Sequence, residues 1–208
     1  MNHMFRLLSF FVLLLTATQG FAQRDVRISL PDQVKKKENC FIVISKKDFY
    51  LYVYEAQAAD TVLIARYDCC FGKNPGNKQR RGDMKTPECS MKKPFTITQI
   101  ADASSWTHDF KDGRGSIKAY GNYFLRLATP PHSGIGIHGS TNNRESVPGR
   151  GSEGCIRLLD EDIIDLRKNY AFVGMKVVVK PEGEGDYPFE TRAMQKQGIT
   201  RKRAAGSR

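Results

Sequence analysis

Bulky apolar residues along this chain come in short runs, separated by polar stretches rich in glycine. That pattern predicts strands through most of the sequence. "CFIVIS" (40–45) is β-branched and aromatic, and "FYLYVYE" (49–55) places Tyr50, Tyr52 and Tyr54 on one face of a strand. Lys46-Lys47-Asp48 is a short turn between them, so the pair reads as a hairpin. "TVLIARYDCCF" (61–71) is a third strand, and the glycine-rich segment 72–88 is loop. "PFTITQI" (94–100), "YFLRLAT" (123–129), "GIGIHG" (134–139) and "MKVVVK" (175–180) are further strands. Residues 101–121, around Trp106, form a long polar loop over one end of the sheet. One helix is predicted. Leu159, Ile163, Leu166 and Tyr170 fall on one stripe, Asp160 is placed to cap its start, and Gly174 lies where it could exit. From Pro181 onward the pattern loses its apolar period, and a loosely held segment is expected. The sum is a mainly β domain with long loops and one short helix.

The first residues change where such a domain would work. Met1 to Ala22 has one fixed charge, Arg6, then the run Leu7–Leu15 and a small-residue exit. This is the pattern of a secretory signal peptide, too short to span a bilayer comfortably. The expected division is a signal peptide at 1–22, an N-terminal segment at 23–38, the domain at 39–180 and a basic tail at 181–208. The protein is expected to be exported to the periplasm or cell envelope, with no transmembrane segment after cleavage. The net charge of +11 is uneven, because residues 191–208 hold six basic side chains and no acid. Such a tail suits an anionic envelope surface. No helix-turn-helix or stacked-aromatic pattern supports nucleic acid as a partner. Of the five cysteines, Cys40, Cys69, Cys70 and Cys89 could pair in an exported protein, and the odd count leaves at least one thiol over.

Candidate chemistry sits in "IHGSTNNRESVPGRGSEGCIRLLD" (137–160). His138 ends a strand and Cys155 opens an apolar element, so the loop between them can bring two strand ends together. A cysteine attacks carbonyl carbon as its thiolate, and a nearby imidazole can take the proton. Gly154 lets the backbone pass close to a substrate, and the N–H groups of Gly154 and Cys155 could face a developing oxyanion. Two other readings fit the same residues: an inert buried thiol, or a zinc site using His132, His138, Cys155 and another cysteine. No metal-ligand spacing supports the second, and no metal or cofactor is expected.

"IHG…GSEGCIRL" resembles the signature of the L,D-transpeptidase catalytic domain, the YkuD family. "FIVISKKDFYLYVYE" is similar to that family's opening hairpin, "GDMKTPE" (82–88) to its Thr-Pro turn, and "DEDIIDLRKNYAFVGMKVVV" to its closing helix and strand. The resemblance covers about residues 39–180. It implies a β-sandwich-like fold with mixed sheets and makes Cys155 the nucleophile, His138 its base and the Gly139 carbonyl the group that orients the imidazole. It also implies that Gly154 and Cys155 form the oxyanion hole, with Ser152, Glu153 and Arg157 at the substrate. The substrate class would be peptidoglycan stem peptides, held as a thioester and passed to an amine. Passing the acyl group to water instead would make a carboxypeptidase or amidase of the same fold, and loss of activity would leave a wall-binding module.

Two positions depart from the family. Cys89 stands where the Thr-Pro turn usually carries glycine, and Glu153 stands where the motif usually has histidine. A carboxylate beside a thiolate raises the thiol pKa unless it is paired, which predicts compensation by Arg157, Arg144 or Arg150. Trp106 and His108 are read as a loop anchored by its aromatic rather than as a lid, and His132 as a rim residue.

Overall fold

The computed structural model of the protein describes residues 27–199. The expected signal segment 1–22 and the basic residues Arg201, Lys202, Arg203 and Arg208 lie outside the described residues.

The apolar runs do form strands. In chain order these are β1 (Ile28–Ser29), β2 (Cys40–Ser45), β3 (Tyr50–Gln57), β4 (Asp60–Asp68), β5 (Cys70–Gly72), β6 (Phe95–Asp102), β7 (Thr107–Asp109), β8 (Ser116–Lys118), β9 (Tyr123–Ala128), β10 (Gly136–His138), β11 (Gly149–Ser152), β12 (Ile156–Arg157) and β13 (Lys176–Lys180). The helices are α1 (Asp160–Asp165) and α2 (Pro188–Lys196). All strands but β7 and β8 join one curled mixed sheet in the order β1-β4-β3-β2-β13-β6-β9-β10-β12-β5-β11. The pairs β2–β13, β10–β12 and β5–β11 are parallel, and the other pairs in this sheet are antiparallel. The expected third strand is split at Cys69. Its N–H bonds to the Phe49 carbonyl at 2.8 Å, so the chain leaves the β3 ladder there and Cys70 enters the other end of the sheet.

Alternation along β2, β3 and β13 sends side chains to two different cores. Ile42, Ile44, Leu51, Val53, Val177 and Val179 face the large core inside the curl, which α1 plugs with Ile163. The predicted stripe continues beyond α1 in one turn of i→i+5 helix, Leu166–Tyr170, with Leu166 and Tyr170 also in that core. Val43, Tyr52, Tyr54 and Val178 face the opposite way into a smaller core with Ala193 and Met194.

That second core corrects the reading of 181–199 as loosely held. Pro188 occupies the first turn of α2, and the Glu190 carboxylate accepts the Tyr187 backbone N–H at 2.8 Å, which together define the helix start. Phe189 meets Tyr54 edge-to-face at 5.4 Å and Phe41 at 5.7 Å. Glu190 is fully buried against Lys180 at 2.8 Å. Segment 181–199 lacks strand alternation, but the tyrosine face of β3 needs a cover, and α2 supplies it. Burial of each large side chain there contributes about 1.5–3 kcal/mol. The reading of 101–121 as plain loop is also revised, because β7 and β8 pair as a small hairpin of their own.

Candidate active site

The site forms where β10 and β12 run side by side. Their parallel register pairs Ile137 with Ile156 and His138 with Arg157. Both isoleucines point into the large core. Their neighbours along each strand, Gly136 and His138 on one and Cys155 and Arg157 on the other, therefore share the opposite face. That face opens on a cleft of about 330 Å³ whose lining includes His138, Ser152, Glu153, Cys155 and Arg157. A two-residue alternation on two parallel strands thus brings the sequence-distant histidine and cysteine together.

His138 is fixed from several sides. Its Nδ1 donates to the Gly139 carbonyl at 2.7 Å, which leaves Nε2 as the basic nitrogen. Its ring stacks on Phe124 at 5.5 Å and lies 4.9 Å from Tyr120. Trp106 packs on both of those aromatics, so it does anchor the loop as expected. Glycine is required at Gly139, because a Cβ there would lie 2.3 Å from Asp160 Oδ1 and 2.7 Å from the Gly121 Cα. Asp160 is not the helix cap the sequence suggests. Leu159 holds that position, and Asp160 Oδ1 accepts the Ser140 N–H at 2.7 Å while Oδ2 accepts the Thr141 hydroxyl. The aspartate thereby ties down the chain that follows Gly139.

Cys155 sits at the mouth of β12, half-buried and unpaired. Its Sγ lies 3.5 Å from the Gly134 carbonyl. Burial pushes its thiol up, and the nearby Glu153 charge adds to this. The Gly136 N–H and the charges of Arg157 and Lys78 act in the opposite direction. Burial, aided by the Arg157 charge, pulls the His138 imidazole down to about 3 against the Gly139 hydrogen bond. The resting pair is therefore neutral thiol and neutral imidazole. In such a pair Nε2 is the nitrogen free to accept a thiol proton.

The turn before Cys155 is braced from within. Ser152 Oγ donates to the Cys155 carbonyl at 2.6 Å and accepts the Gly154 N–H at 3.1 Å. The hydroxyl of Ser152 thus shapes the turn. The Gly154 N–H, expected as an oxyanion donor, is instead turned to that serine. Gly154 has φ of 136°, and a Cβ there would lie 2.8 Å from the Lys85 carbonyl. Glycine is needed at 154 because the 72–88 loop folds tightly across it.

Glu153 is paired, but not with the arginines that sequence proximity suggested. Arg144 pairs with Glu161 at 2.5 Å and Arg150 with Glu182 at 2.7 Å. Arg157 donates to Ser146 Oγ at 3.3 Å and lies 5.1 Å over the Phe110 ring. The partner of Glu153 is His108, at 3.2 Å, carried by β7. His108 and Phe110 line the cleft, so the hairpin is more than an anchored loop. Tyr120, Lys78 and Arg81 also line it and were missed in the sequence, where each sits in a polar stretch without a pattern to distinguish it. His132 is a rim residue, with Nε2 3.0 Å from the Lys78 carbonyl. Cys40, Cys69, Cys70 and Cys89 are all free thiols, with Cys69, between β4 and β5, and Cys70, opening β5, both fully buried.

This sheet and the His-Gly…Ser-x-Gly-Cys cleft define a domain type. The L,D-transpeptidase catalytic domain (YkuD) matches residues 40–179, and the chain belongs to that family. Among solved structures it is similar to Bd1075 from Bdellovibrio bacteriovorus, with 19% identity and a TM-score of 0.52, covering 83% of this chain and 57% of that one. It is also similar to the helical cell shape determining protein Pgp2 from Campylobacter jejuni, with 18% identity and a TM-score of 0.50, covering 74% of this chain and 51% of that one. The alignments thus span little more than half the length of these two proteins. No curated protein sequence matches this chain. Among the described residues no helix is long and apolar enough to cross a membrane.

Proposed function

We propose that the protein is an exported cysteine acyltransferase that acts on peptidoglycan stem peptides. The observation that carries this reading is the His138–Cys155 face of β10 and β12, with Nδ1 of the imidazole fixed on the Gly139 carbonyl and both side chains lining one cleft. Cys155 Sγ attacks the stem-peptide carbonyl before the terminal residue and His138 Nε2 takes the thiol proton. The Cys155 backbone N–H faces the oxyanion. The imidazolium then protonates the departing amine, leaving a thioester. An amine acceptor attacks that thioester in the second half-reaction. Arg157 and Lys78 favour the thiolate as it forms, and Ser152 keeps the turn in shape. This chemistry draws on the thiol and imidazole alone and calls for no metal or cofactor. The basic residues past Gly198 would hold the protein on an anionic envelope surface, and the segment 1–22 would direct export.

The test is digestion of sacculi after incubation with purified protein, followed by mass spectrometry of the muropeptides. New 3→3 cross-links or amine-substituted stems are expected. Shortened stems alone would make the enzyme an L,D-carboxypeptidase or amidase. Unchanged muropeptides would leave a non-catalytic peptidoglycan-binding module and overturn the proposal.

A further inference from the structure

Glu153 is the one acidic residue among those that line the catalytic cleft, whose cationic lining consists of Lys78, Arg81 and Arg157. Lys78 is held by Asp83 at 2.9 Å, whereas Arg81 is an exposed side chain on the same loop. The Glu153 side chain is 40% exposed, and its bond to His108 uses a single carboxylate oxygen, Oε2. His108 is itself set edge-to-face on Phe110 at 4.5 Å, so the hairpin aims the carboxylate rather than leaving it to solvent. The cost of this arrangement is visible at the nucleophile, because the Glu153 charge opposes ionisation of Cys155. An acid that works against the first half-reaction, yet is held in the cleft by a dedicated partner, suits a role in the second.

We propose that Glu153, aimed by His108, is the receptor for the ammonium group of the acyl acceptor, and that the site selects an amino-acid-type acceptor whose carboxylate meets the cations of the same cleft. This specificity role rests on the transferase reading above and names what that reading leaves open. An amine reaches the cleft protonated at neutral pH, and a carboxylate near the thioester raises its local concentration. The bound ammonium loses one proton to solvent, and the neutral nitrogen attacks the thioester carbonyl. His138 Nε2 takes the second proton as the N–C bond forms. The tetrahedral intermediate then collapses, the C–S bond breaks, and the imidazolium returns its proton to the sulfur. One amide and one thiol result, with one proton released to water.

The test separates the two half-reactions. Purified protein is first loaded with a tetrapeptide donor, and the thioester on Cys155 is followed by intact mass. Acceptors are then added to the wild type, Glu153→Gln and Glu153→Asp: D-alanine, D-alaninamide and the uncharged nucleophile hydroxylamine. The wild type is expected to use D-alanine better than D-alaninamide. Glu153→Gln should raise the KM for D-alanine about tenfold, the scale of one lost charge-assisted contact, and Glu153→Asp should recover part of it. The same Gln variant should lose far less with hydroxylamine, a split that a merely structural role for Glu153 would not produce. An unchanged D-alanine KM in Glu153→Gln, or an equal loss with hydroxylamine, overturns the inference and leaves the transferase standing. Equal use of D-alanine and D-alaninamide by the wild type removes the carboxylate half of it. Failure of the wild type to form any thioester overturns the transferase reading and this inference together.

Discussion

The two ends of the main sheet solve opposite problems. Around β2, β3 and β13 both faces are buried, one in the curl and one beneath α2, and the buried Lys180 is paired with Glu190. Around β10 and β12 one face is core and the other is an open cleft, with a neutral thiol, a neutral imidazole and an arginine only 3% exposed whose Nε has no hydrogen-bond partner. The first end is closed on both faces, although Glu190 Oε1 lacks a hydrogen-bond partner there too, and the second leaves a thiol and an imidazole on a face open to a cleft. Substitutions should therefore separate: activity without stability at the cleft, stability without activity beneath α2.

The largest separation is expected at Cys155. Cys155→Ala should lower turnover by about a thousandfold or more while leaving the melting temperature near that of the wild type, and His138→Ala should cost nearly as much. Comparison of turnover with thermal unfolding decides it, and a Cys155→Ala protein with near-normal turnover would end the proposed mechanism. At the other end, Glu190→Gln leaves the buried Lys180 without its closest countercharge. It should lower unfolding free energy by about 3 kcal/mol in a denaturant titration, with turnover per folded molecule unchanged. A drop in turnover per folded molecule would mean that the two ends are coupled. Deletion from Arg192 onward should likewise destabilise the fold, because it removes Ala193 and Met194 from the smaller core.

Asp160 sits between these extremes. It touches no reacting atom, yet it holds the chain that presents the Gly139 carbonyl to His138. Asp160→Ala should lower kcat about tenfold with little change in donor KM, and an unchanged kcat would show that Gly139 is held without it. The smallest effect is in pH. With the folded imidazole near 3, His138 stays unprotonated throughout the weakly acidic range. Thioester formation should then show no acidic limb near pH 6.5, the ordinary histidine value. Stability carries the opposite sign. Between pH 6.5 and about 3 the unfolded chain binds a proton at this histidine that the folded one does not, so unfolding becomes easier as pH falls. His138→Gln should flatten that part of the stability profile, which acid titration of both proteins would show.

The strands with β-branched and aromatic runs were legible because alternation and burial are local properties of the chain. The meeting of His138 and Cys155 in one cleft was legible for a related reason. His138 ends one short apolar strand and Cys155 opens another, and the resemblance of their surroundings to a known motif singled them out. Chain distance misled where a partner had to be named. Arg157, Arg144 and Arg150 are near Glu153 in sequence, but each bonds elsewhere, and His108 arrives from a hairpin that the polar pattern of 101–121 did not reveal. Asp160 was misassigned as a helix cap because its residue type suits both that role and the one it has.

The sequence by itself determined the alternating strands, the helical stripe and the His138–Cys155 pair, since each follows from side-chain type at a fixed local period. Only the tertiary structure decided that α2 covers the tyrosine face, that Ser152 takes the Gly154 N–H, and that His108 meets Glu153. Those contacts depend on how the curled sheet brings distant segments together. A carboxylate, an amide or an apolar face states that it needs a partner, but the chain order does not say which partner the fold will deliver.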